Sequence, residues 1–234
     1  MTAETAITRS VLSDAVKDRL LEGILDGPYP PGSRIVETRV ARMLGTSQAP
    51  VREALRDLEA LGVVEISPFR GARVRRPSRD ELLEAYVVRA ELEAMAARLA
   101  VPSLTAADLD HFQGLLDEML RCAEAGDTVA EAAADAAFHG YLVERAGNAT
   151  LTRVWAQLAP YSRTYINMAI PGGDRHLMAA LHGDVIDALR TGDEDRADMA
   201  VRQHFATAST SLAERWRDPE VPVPAPAPDS ERTV

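Results

Sequence analysis

VARMLGTSQAPVREALRDLEALGVVEI, running from Val40 to Ile66, decides how the rest of the chain is read. It parses as the end of one helix, a tight turn at Gly45-Thr46-Ser47, a second helix and the start of a strand. Gly45 can adopt the positive φ that ends a helix. Ser47 is a good N-cap for the second helix, and Pro50 falls in its first turn, where a missing N–H does little harm. Val51, Leu55 and Leu58 recur at i, i+4 and i+7 and mark the buried face. Gln48 and Arg52 sit one turn apart and point elsewhere. A recognition helix places side chains against base edges from that position. The stretch therefore reads as the second half of a helix-turn-helix, and it implies DNA binding.

The flanking sequence completes the unit. Leu12, Val16, Leu20 and Ile24 recur every four residues, with Leu21 and Leu25 beside them, which predicts an amphipathic helix from about Val11 to Leu25. Gly27-Pro28 and Pro30-Pro31-Gly32 break it. Arg34-Ile35-Val36 is short and extended, and Glu37 to Leu44 is a helix with Val40, Ala41 and Leu44 inward. Gly62 closes the recognition helix. VVEIS and ARVRR then read as two strands joined by Pro68-Phe69-Arg70-Gly71, a β-hairpin wing. Residues 8–76 form this first domain.

A second block begins at Arg79. Six helical segments follow, about Asp80–Val101, Ala106–Ala125, Thr128–Ala146, Ala149–Ile170, Arg175–Arg190 and Glu194–Trp216. The breaks are Pro102-Ser103, Gly126-Asp127, Gly147-Asn148, Pro171-Gly172-Gly173 and Thr191-Gly192-Asp193. Thr105, Asp127 and Asp193 are candidate caps. Long helices with short loops make an antiparallel bundle, here over residues 79–216. The Pro/Ala-rich tail, residues 218–234 with VPVPAPAP, reads as disordered. The expected fold is mainly α: an N-terminal winged helix-turn-helix and a C-terminal antiparallel six-helix bundle.

Composition agrees. The 234 residues are 46% hydrophobic and 5% aromatic, which suits a helical protein with a real core. The single cysteine, Cys122, excludes an intrachain disulfide and fits a reducing compartment. MTAETAITRS has no apolar signal core, and no apolar run reaches the ~18 residues of a membrane span. A soluble cytoplasmic protein with no membrane contact is expected. The net charge of -10 is unevenly spread. Residues 1–76 carry 12 Lys+Arg against 10 Asp+Glu, a net of +2, and residues 77–234 carry 14 against 26, a net of -12. Any DNA contact must use a local basic surface, and Arg70, Arg73, Arg75 and Arg76 cluster at the end of the first part.

The bundle holds the densest chemistry. Asp135 and His139 are four apart and share one helix face. His182 lies on the fifth bundle helix and His204 on the sixth. A carboxylate and three imidazoles from three helices suit one interior divalent transition metal. Any one histidine also reads as an ordinary surface or hydrogen-bonded residue. His111 and His176 do not fit the pattern and read as surface residues.

Two family resemblances follow. PPGSRIVE, LGTSQAPVREAL, LEALGVVE and FRGARV, within residues 11–76, resemble the GntR family of winged-helix transcription regulators. The resemblance implies DNA contacts from Arg34, Thr38, Ser47, Gln48, Ala49, Arg52, Arg70 and Gly71. The family usually has Ser-Arg-Thr-Pro where this chain has Ser47-Gln48-Ala49-Pro50. Gln48 suits adenine N6/N7 rather than guanine, and Ala49 offers at most a contact to a thymine methyl; Gln48 also reads as a solvated first-turn residue. DAAFHGYLVERAGNATL, from Asp135, and ALHGDVIDALRTGDEDRADMAVRQHF, from Ala180, resemble the FCD ligand-binding domain of FadR-type GntR regulators. Six helices point to the VanR-like subgroup. This resemblance implies metal ligands Asp135, His139, His182 and His204, with zinc foremost and nickel or manganese as alternatives.

The same resemblance implies a small organic-acid or sugar-acid effector. Val87 to Glu93 contains the family's R-x-x-L-E run. Arg89 is the leading carboxylate clamp, with Arg163 and Asn167 as further candidates. Arg89 equally reads as a salt-bridge partner of Glu93 at i+4. The metal either contacts the effector or only braces the bundle. Three functions stay open: a ligand-responsive regulator, read as a repressor, that binds double-stranded DNA as a homodimer on a palindromic operator; a metal-dependent hydrolase-like enzyme; and an architectural DNA-binding protein with an inert helical domain.

Overall fold

Val16, Leu20 and Ile24 press one face of the first helix onto Val40, Val51, Leu55 and Leu58, and the first of two apolar cores forms there. The computed structural model describes residues 3–25, 28–67, 70–76, 78–158 and 175–215. The N-terminal elements are α1 (Ala3–Leu25), β1 (Arg34–Ile35), α2 (Glu37–Met43), α3 (Gln48–Ala60), β2 (Val64–Ser67) and β3 (Gly71–Val74). The strands form an antiparallel sheet in the order β1-β3-β2, with Arg34 opposite Arg73 and Ile66 opposite Ala72. The extended Arg34-Ile35 segment thus becomes an edge strand of the wing.

Two expectations need correction. The first helix starts at Ala3, well before Val11. Leu12 is 44% exposed rather than inward. A strict spacing of four drifts by about 40° per step on a 3.6-residue helix, so the inward position at that level belongs to Ser13. Its buried hydroxyl donates to the Pro50 carbonyl at 3.4 Å. In the turn, Gly45 takes φ +64°, as a left-handed helix end requires.

The second core is helical. It comprises α4 (Arg79–Ala100), a 3₁₀ turn at Val101–Ser103, α5 (Ala106–Ala125), α6 (Thr128–Arg145), α7 (Ala149–Ala156), α8 (Arg175–Arg190) and α9 (Glu194–Arg215). Five of these helices begin on built caps. Ser78 and Glu81 form a capping box at α4, as Thr105 and Asp108 do at α5, while Asp127 and Asn148 cap α6 and α7. Asp193 Oδ1 accepts from the Asp195 and Arg196 amides at the start of α9. α4 lies along α9, joined by Arg98–Asp195 and Arg202–Glu91 ion pairs. Phe112, Phe138, Leu142, Ile186 and Phe205 fill the interior between the helices. The expected helix from Ala149 to Ile170 is described only as α7 plus a turn; residues 159–174, Trp216 and the tail 218–234 lie outside the described residues.

Candidate metal centre and nucleic-acid interface

The spacing of Asp135 and His139 sets both on one side of α6, and α8 and α9 bring His182 and His204 to the same point. All four are at most 9% exposed. One ring nitrogen from each histidine lies within 4.8 Å of the others. Asp135 Oδ1 is 3.3 Å from His182 Nε2 and 3.7 Å from His139 Nε2. The sequence-derived ligand set is therefore a spatial cluster.

The hydrogen bonds set the tautomers. His182 Nδ1 is 3.0 Å from the Ala179 carbonyl oxygen, and His139 Nδ1 contacts a Glu93 carboxylate oxygen. Both acceptors demand an N–H, so in the neutral rings both Nε2 atoms carry lone pairs. Those two atoms face each other at 3.3 Å. Among the described residues, Asp135 Oδ2 and His204 Nδ1 are buried with no hydrogen-bond partner. Paired lone pairs and orphaned acceptors in a dry interior are costly unless a cation joins them. The donor set of one carboxylate and three imidazoles fits a divalent transition metal.

Electrostatics agree. Burial pushes the Asp135 carboxyl up, but the neighbouring His139, His182 and Arg89 outweigh it and hold the group well below the usual carboxylate range. Burial above all, with His182 and His139 close by, pushes His204 well below its ordinary value. An ionised carboxylate beside a neutral imidazole is the protonation state that metal ligands need.

Around the cluster lies a cavity of about 50 Å³, its wall including Tyr86, Arg89, Met119, Glu131, Met178 and Phe205. Arg89 is 2% exposed and does two things. Its Nε and Nη2 reach Glu93 Oε1 at 2.9 and 2.8 Å, and its guanidinium lies 5.0 Å from the Phe205 ring centre. The salt-bridge reading of Arg89 is thus realised, and the residue lines the cavity as well. Glu131, at the cavity wall, accepts from Arg175 at 2.6 Å; burial pushes its carboxyl up. Burial likewise pushes the Tyr86 phenol up to about 12, so it stays a neutral donor. Sequence reasoning missed Tyr86, Glu131, Arg175 and Trp155, which carry no local spacing signal. Arg163 and Asn167 lie outside the described residues. His111 and His176 are exposed, as expected.

The other candidate surface is α3. Gln48, Arg52 and Arg56 are exposed along one stripe, and Val51, Leu55 and Leu58 are fully buried behind them. Arg56 was not anticipated, although it stands at i+4 from Arg52. Arg52 Nη1 pairs with Glu37 Oε2 at 3.3 Å, which aims the guanidinium across the α2–α3 turn. Thr38, Ser47 and Arg34 are exposed and Ala49 half-buried beside them. Ser47 occupies the N-cap position (φ -82°, ψ 167°), but its side chain makes no cap hydrogen bond. The expected capping contact is absent there.

The basic cluster is partly scaffolding. Arg73 Nη1 donates to the Gly32 carbonyl and Arg76 Nε to the Pro31 carbonyl, each at 2.9 Å. Arg75 pairs with Glu81 of α4. A side chain on Gly32 (φ +82°) would meet the Arg76 guanidinium at 2.3 Å, so the Pro-Pro-Gly loop is shaped to receive it. Arg70 is exposed and Gly71 half-buried at the wing's turn.

Residues 12–74 match the family model for bacterial regulatory proteins of the gntR family, and residues 84–207 match the model for the FCD domain. The chain is similar to the probable D-xylose utilization operon transcriptional repressor of Paenarthrobacter nicotinovorans, with 37% identity over 86% of this chain and 88% of that one. It is 25% identical to the galactonate operon transcriptional repressor of Escherichia coli, over 86% of this chain and 97% of that one. Among solved structures, E. coli McbR/YncC superposes with a TM-score of 0.75 at 26% identity, over 87% of this chain and 97% of that one.

Proposed function

The chain belongs to the gntR family of bacterial regulatory proteins and carries an FCD domain, and from that premise we propose that it is a repressor whose operator binding responds to a small acid held in a metal-containing cavity. It is a transcription regulator, not an enzyme. The observation that carries the proposal is the convergence of Asp135, His139, His182 and His204 on a cavity that Arg89 also lines.

A divalent metal, zinc first, is held by those four side chains and supplies a Lewis-acidic point for an anion. Arg89 adds a positive guanidinium in the same cavity. The relatives named for D-xylose and galactonate operons favour a sugar-derived acid.

On the DNA side, Gln48 and Arg52 read the major groove, with Ala49 against a thymine methyl. Arg34, Thr38 and Ser47 contact the backbone, and Arg70 with Gly71 sets the wing near the minor groove. A palindromic operator calls for a homodimer. Val88, Met95 and Leu99 on α4 are 47%, 50% and 44% exposed and fall within about 40° of one another on the helix. That apolar stripe is the proposed dimer seam. An effector acts by binding one arrangement of the two winged helices better than the other. No helix among the described residues is long and apolar enough to cross a membrane; we place the protein in the cytoplasm, with its DNA.

Selection of bound duplexes from a random library tests this reading. A palindrome should emerge, and an organic acid that raises the melting temperature in the presence of zinc should shift affinity for it. Binding without sequence preference, indifferent to every such acid, would leave only an architectural role.

A further inference from the structure

Glu93 is 0% exposed, and both oxygens of its carboxylate accept from buried neighbours. Oε1 takes Arg89 Nε at 2.9 Å, Arg89 Nη2 at 2.8 Å and Trp155 Nε1 at 2.7 Å. Oε2 takes His139 Nδ1. A carboxylate offers about four lone-pair sites, two on each oxygen, so Oε1 is saturated by its three donors and Oε2 is turned to His139. Its donors come from α4, α6 and α7. The group is an anion locked in one orientation.

We infer that Glu93 is a positioning residue for the metal site, fixing His139 with Nε2 toward the ion and carrying the ion's presence to Arg89 and Trp155. The inference rests on the proposed metal reading. Coordination through Nε2 makes the opposite N–H of an imidazole more acidic, so the bond from His139 Nδ1 to Oε2 strengthens when the ion binds. Charge drawn toward Oε2 weakens the hold of Oε1 on Arg89 and Trp155. The guanidinium then becomes more available to an anion in the cavity. By reciprocity, an anion on Arg89 strengthens the grip of the site on its metal.

Trp155 makes this measurable. The chain has two tryptophans, so Trp216→Phe leaves Trp155 as the sole indole fluorophore. In that full-length protein, zinc titration should change Trp155 emission in step with uptake. Adding Glu93→Gln should lower zinc affinity about 10–100-fold, measured by chelator competition, and abolish the emission change, with helical circular dichroism unaltered. If the glutamine variant does not fold, the zinc-loaded wild-type protein decides: long-range ¹H–¹⁵N correlation should show His139 as the Nδ1–H tautomer. Unchanged zinc affinity in folded Glu93→Gln, or an Nε2–H tautomer at His139, would overturn the role of Glu93 alone. Wild-type protein that takes up no zinc would overturn the metal reading as well.

Discussion

The two halves of the molecule bury opposite kinds of chemistry. Among the described residues of the winged-helix half, Ser13 is the one buried polar side chain, and no ionic side chain is buried. The bundle buries Arg89, Glu93, Asp108, Glu131, Asp135, His139, His182 and His204. A buried charge costs several kcal/mol before compensation, so a helical core built only for stability would omit these groups. The contrast teaches that the first half holds a surface still, whereas the second sacrifices stability to enclose a site.

The sharpest way to break the comparison is to unbalance each half in turn. Arg89→Met leaves the Glu93 carboxylate buried without its cation and should cost about 3–5 kcal/mol in urea unfolding. Arg56→Met, on an exposed helix position of the winged-helix half, should stay within about 0.5 kcal/mol. Metal removal comes next. Zinc held at a hundred times its Kd stabilises by about 2.7 kcal/mol, and a chelator should withdraw that from the bundle while leaving the winged-helix transition in place. Arg52→Ala should cost about 1–3 kcal/mol of operator binding by anisotropy, with zinc uptake and unfolding unchanged. The smallest effect separates two serines at helix starts. Ser78→Ala removes a working capping box and should cost about 1 kcal/mol. Ser47→Ala removes no cap bond and should change stability by less than about 0.5 kcal/mol while weakening DNA binding.

Legibility in the sequence divides along the same line. The winged helix is encoded by short-range signals: Gly45 for the turn, Pro50 in the first turn of α3, and the Val51-Leu55-Leu58 stripe. Each reappears in the structure. The four candidate ligands were also legible, because Asp135 and His139 share a helix turn and the other two histidines stand on separate helices. The surroundings were not. Glu93 was visible only as the neighbour of Arg89 at i+4. That it also holds His139 and Trp155 depends on how α4, α6 and α7 pack, and no spacing encodes that. Leu12 differs for a simpler reason: a spacing of four drifts by about 40° per step on a 3.6-residue helix, and that rotation carries Leu12 out of the core.

The central claim is that the polar core of the bundle is a metal site made by Asp135, His139, His182 and His204. Elemental analysis of the zinc-incubated, desalted protein tests it most directly, set beside the His139→Ala/His182→Ala variant. The account predicts stoichiometric zinc in the wild type and none in the variant, with the winged-helix transition intact in both. Stoichiometric zinc retained by the variant, or a wild type that holds none, would contradict it.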